Sequence, residues 1–159
     1  MINWAHVHLM INHFPVVGVL GSILLLLYGV VRKSDEVKMV SLGIFVLLAL
    51  ITIPVYLTGE AADAVVKNIP GVTERYIGRH EETASYALVL IEIVGATALL
   101  GLLLLRRFHR MPKWIITAVL ILSCITAVVI GFTANLGGQI RHTEIRAGYL
   151  PPITPGQAK

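Results

Sequence analysis

Four long apolar stretches constrain this chain more than any other feature. Residues 14–31, 39–59 and 114–140 contain no Asp, Glu, Lys or Arg, and residues 83–105 contain one, Glu92. At about 1.5 Å rise per residue, each stretch is long enough to cross a hydrocarbon layer of roughly 30 Å. Inside that layer every backbone N–H and C=O must be satisfied within its own segment, which selects helices over open strands. With 56% hydrophobic and 14% charged residues, the chain is too apolar for a soluble domain of this size. The expected fold is all-α, an integral membrane four-helix bundle threaded up-down-up-down in one domain over 1–159, with helices over about 13–31, 38–59, 82–105 and 113–138. The first stretch has no basic leader and no obvious small-residue cleavage site, so it reads as a permanent helix and not a removable signal peptide.

The connections set the threading. Residues 32–38 (RKSDEVK) and 106–113 (RRFHRMPK) are short and charged, so each forces an antiparallel hairpin. The middle connection, 60–82, is longer and is expected to carry a short amphipathic helix near 61–68 before the Pro70-Gly71 turn. A flexible tail is expected over about 147–159, where PPITPGQAK would order only against a partner. Arg32, Lys33, Lys38, Arg106, Arg107, Arg110 and Lys113 fall in the two tight loops, and the remaining six of the thirteen Lys/Arg are spread over the other side. That bias places both termini outside, which in a bacterium is the periplasmic face of the cytoplasmic membrane. The net charge of +4 forms no extended basic tract, so the lipid bilayer, and not nucleic acid, is the expected partner of these residues. Cys124 is the single cysteine, which excludes an internal disulfide and a CxxCH haem attachment; it is expected to be a buried small apolar side chain.

The threading sorts the polar residues by end. His6, His8, His13, His80 and His142 share the outer end, and only His109 lies opposite. Imidazoles gathered from several helices are how bundles build cofactor sites, and a bis-imidazole haem b needs two neutral rings on facing elements. His8, His13, His80 and His142 form the expected ligand pool for haem iron or another metal, serving one haem or two. The plain alternative for each histidine is an interfacial or capping role. Ala127, Gly131, Ala134, Gly138 and His142 recur at helical spacing, and a face of small side chains ending at a histidine would let a flat macrocycle approach at Gly131 and Gly138; helix packing through small residues competes with that reading. If residues 6–13 are helical throughout, His6, Met10 and His13 share a face. Arg75, Arg79, Arg141 and Arg146 lie at the same level, and Arg79 and Arg141 are the expected partners of haem propionates. Glu60, Glu81, Glu82 and Glu144 accompany the histidines and would suit non-haem iron, copper, manganese or zinc, although no Glu-x-x-His pattern is present. Glu92, inside a membrane segment, implies a partner or a function, either a proton relay, a quinone contact or a protonated structural group.

The run His8-Leu9-Met10-Ile11-Asn12-His13-Phe14-Pro15 resembles the His-Pro-x-x-x-His-Phe-Pro opening of a group of bacterial four-helix membrane proteins built on a domain of unknown function. Thr58-Gly59, His80-Glu81 and Gly137-Gly138 fall at matching landmarks; position 9 is Leu where that group has Pro, and the chain after Gly138 reads QIRHTE in place of an aromatic and His-Gly ending. The resemblance implies a b-type cytochrome or an electron-transfer membrane subunit. The expected function is therefore a haem b electron carrier, one subunit of a larger redox assembly and not a free enzyme. Its expected partners are other membrane or periplasmic redox subunits, a quinone or a cytochrome c. Non-haem metal handling and a structural accessory role are the alternatives.

Overall fold

A computed structural model describes residues 3–150. Helix α1 spans Trp4–Ile11, α2 His13–Val31, α3 Asp35–Val66, α4 Glu74–Phe108 and α5 Lys113–Arg141, followed by a 3-10 turn over Thr143–Ile145. The chain is helical with no strand among the described residues, and four spans, Trp4–Val31, Asp35–Val66, Glu74–Phe108 and Lys113–Arg141, are long and apolar enough to cross a membrane. This is the architecture of a multi-pass membrane protein.

Neighbours in sequence are neighbours in space. Helix α2 packs on α3, α3 on α4, α4 on α5, and α5 returns to α2, so the four long helices close a square with no close backbone approach across its diagonals among the described residues. Leu26, Leu42, Phe45, Ile91, Ile115 and Val119 fill the centre. The helices approach closely where side chains are smallest: a Cβ on Gly95 would stand 2.5 Å from that of Ala49. The outward surface is as apolar as the interior, with Val17, Leu24, Leu50 and Val128 all more than half exposed. A surface of this kind suits lipid and not water.

Local chemistry explains the helix ends. Asn3 accepts from the backbone N–H groups of Ala5 and His6, and Ser34 from that of Val37, while Asp35, Glu36 and Glu74 occupy first turns, where the helix dipole favours an anion. Helix α1 stops at Ile11 because Pro15, four residues on, offers no N–H to that carbonyl and its ring would crowd it. The first span is consequently interrupted in its hydrogen bonding at Asn12, but the backbone there stays helical (φ −66°, ψ −19°), so His6, Met10 and His13 keep a common, exposed face.

Three expectations give way. No separate amphipathic helix occupies 61–68: α3 runs through to Val66, because Ala61, Ala62 and Ala64 favour helix and nothing between Gly59 and Val66 interrupts it. Helix α4 starts at Glu74 and not near 82, so His80 sits well inside it; a helix is free to continue past the edge of the apolar layer. Cys124 is exposed on the outer face of α5 and not buried. The Pro70-Gly71 turn is present, with Gly71 at φ +83°, a conformation glycine adopts without strain. Of the expected tail, residues 151–159 lie outside the described residues.

Candidate functional site

Two histidines are seated in the same way on different helices. His8 projects from α1 onto α3, where its Nδ1 lies 3.0 Å from the carbonyl oxygen of Val55. His80 projects from α4 onto α5, with Nδ1 3.0 Å from the carbonyl oxygen of Thr133. In each case the residue one turn further along the receiving helix is a glycine that meets the ring. A Cβ on Gly59 would stand 3.3 Å from His8 Cε1, and one on Gly137 would stand 3.1 Å from His80 Cε1. The seat is thus a carbonyl at one position and a glycine four later, used twice.

Chemistry follows from that geometry. A backbone carbonyl only accepts, so Nδ1 must carry the proton in both rings and donate it. In the neutral imidazole the remaining nitrogen, Nε2, then holds an unshared lone pair. An imidazole anchored through Nδ1–H to a carbonyl, with Nε2 left as a base, is the arrangement by which proteins orient histidine toward a metal. Both rings are half-buried. The Thr58 hydroxyl lies 3.4 Å from His8 Nδ1 and is itself bonded to the Pro54 carbonyl at 2.8 Å, which adds a polar wall to the first seat.

The other expected site residues are not drawn into this pair. His13 is exposed and lies 3.3 Å from the carbonyl of Leu9, across the break between α1 and α2. His142 is exposed and pairs with Glu144 at 2.8 Å. The Glu144 carboxyl is held below its ordinary range, first by its own backbone N–H and then by His142. Gly131 faces open space, Gly138 meets the Ile145 side chain, and Arg79 and Arg141 are exposed. Of the small-residue face that leads to His142, Gly131 and Ala134 are exposed while Ala127 packs against the core, and the glycine that receives an imidazole is Gly137, one position from Gly138. His6 is exposed, and His109 at the opposite end closes α4 in the left-handed conformation, φ +54°, with its N–H on the Leu105 carbonyl. Among the described residues no three His, Cys, Asp or Glu side chains come close enough to hold a metal ion together.

Arg146 closes the same end of the molecule. Its Nε and Nη2 donate to the carbonyls of Gln139 and Ile140, at 2.7 and 2.9 Å, which lie in the last turn of α5. Its Nη1 donates to the Gly71 carbonyl at 3.1 Å, and the guanidinium stacks 4.3 Å from the ring centre of Tyr76. One side chain therefore caps α5 and ties it to the α3–α4 connection.

Sequence reasoning missed Val55 and Thr133, whose contribution is a main-chain oxygen, and Arg146 as a clasp. Gly59 and Gly137 were visible only as landmarks of the resemblance. Compared with known protein families, curated proteins and solved structures, the chain matches none.

Proposed function

We infer that this chain is a membrane-embedded electron-transfer protein that binds haem b through His8 and His80. The observation that carries the reading is the repeated seat: two neutral imidazoles, on two different helices of the same end, each fixed through Nδ1–H and each left with a basic Nε2. A bis-imidazole set of this chemistry suits haem iron, which supplies one-electron transfer between its ferric and ferrous forms. The protein's part is to hold the rings. The Val55 and Thr133 carbonyls fix the tautomer and make Nε2 more basic, and Gly59 and Gly137 leave room for the ring edges.

The single pair of seats fits one haem better than two. It gives His13 and His142 no ligand role, since neither ring is held inward. The resemblance of residues 8–15 to bacterial b-type cytochrome-like proteins points the same way, and with the distribution of Lys and Arg it sets the site at the periplasmic side of a bacterial cytoplasmic membrane. A carrier with few loops passes electrons between a membrane donor such as a quinol and a periplasmic acceptor.

Absorbance of the purified protein, expressed with added haem precursor, tests this. Paired alpha and beta bands on dithionite reduction are expected. His8→Ala and His80→Ala should each lower bound haem about ten-fold or more, and His109→Ala should leave the spectrum intact. Protein that folds, stays monodisperse and takes up no haem would refute the assignment.

A further inference from the structure

Glu92 is the only Asp, Glu, Lys or Arg within the apolar portion of the four spans, and the structure leaves it incomplete. It sits near the middle of α4, and its Oε1 is shielded from solvent yet meets no hydrogen-bond donor. Beside it lies a cleft of about 200 Å³ between α3 and α4, lined by Val46, Ala49, Leu50, Gly95, Ala96 and Leu99. A carboxyl in hydrocarbon is cheapest as the neutral acid, which has one O–H to give and one carbonyl oxygen to receive with. No side chain among the described residues answers either need, and lipid tails offer nothing that could.

The geometry points to a second copy of this chain as the occupant, docked through the α3–α4 face so that the two Glu92 carboxyls bond each other. Three arguments favour a copy over any other partner. A neutral carboxylic acid is self-complementary, giving and receiving with an identical group. Two copies inserted the same way hold Glu92 at one depth, so a two-fold axis along the membrane normal brings the carboxyls level without adjustment. The face also permits close approach: Ala96 is exposed beside Glu92 and presents only a methyl, while the exposed Leu50 and Leu99 stand as knobs for the partner's cleft. The inference is independent of haem binding, since Glu92 lies twelve residues, about 18 Å along the helix, from His80.

The experiment compares the full chain with Glu92→Gln, Glu92→Leu and Ala96→Leu, by dimer fraction against protein density in lipid vesicles. The native chain is expected to dimerise. Glu92→Gln, whose amide also gives and receives, should stay within about three-fold of it, and Glu92→Leu should weaken association by roughly ten-fold. Ala96→Leu, which fills the contact at an exposed position, should weaken it further while leaving helicity unchanged. In a Cys124→Ser background, Ala96→Cys should cross-link between copies on mild oxidation. A native chain that is monomeric at every density, a dimer indifferent to Glu92→Leu, or a lipid or quinone found bound at Glu92 in a monomer would each overturn the proposal.

Discussion

The seat of His8 and the seat of His80 use the same two receiving groups but reach them by different routes. His80 stands inside the continuous helix α4, so its direction is fixed by thirty-five residues of regular backbone. His8 stands on the eight-residue α1, separated from α2 by the break that Pro15 imposes. The receiving side compensates: Thr58 adds a hydroxyl beside Val55 at the first seat, while at the second the Thr133 hydroxyl turns back to the Val129 carbonyl. One ring is held mostly by the helix it leaves and the other mostly by the helix it meets.

The largest effect that would sharpen this contrast comes from the glycines. Gly137→Val should displace a ring that its own helix cannot re-aim, costing about 1–3 kcal/mol of stability through overpacking and most of the bound haem, measured by thermal unfolding and reduced absorbance. Gly59→Val should cost less, because the short α1 can tilt to accommodate it; equal losses would break the comparison. Pro15→Ala comes next. It restores an N–H to the Ile11 carbonyl and favours one straight helix, so His8 should lose its carbonyl bond, worth about 0.5–1.5 kcal/mol, while hydrogen exchange around Thr133 stays unchanged. Arg146→Ala should free the 67–73 connection, read as faster proteolysis there, with the His8 seat unaffected. His109→Gly should be the mildest change and of opposite sign, raising stability by about 0.5–1 kcal/mol through relief of a left-handed non-glycine residue, with no change in absorbance.

Much of this was legible in the sequence. The four long apolar stretches gave four helices in the expected order, and the hairpin loops gave the end at which His8 and His80 both lie. The ring partners were not legible, because a backbone carbonyl has no side-chain signature and any helical residue could supply it. The choice between Gly137 and Gly138 turned on which side of α5 faces α4, which one residue, about 100° of rotation, decides. Helix ends were read short because polarity marks the edge of the apolar layer, whereas a helix ends where its hydrogen bonding fails, as at Pro15. Cys124 was misread because in lipid the outside of a bundle is as hospitable to an apolar side chain as its centre.

Arg146 bonds to Gly71 across seventy-five positions of chain, and this has a consequence for biogenesis. The knot cannot be tied until residue 146 has left the ribosome and α5 has been threaded. Until that moment α5 is held to α4 at this edge by packing and by the bond from His80 to the Thr133 carbonyl, and the α3–α4 connection is not yet tied to it. Arg146 thus fastens the end of α5 only after all four spans are in place.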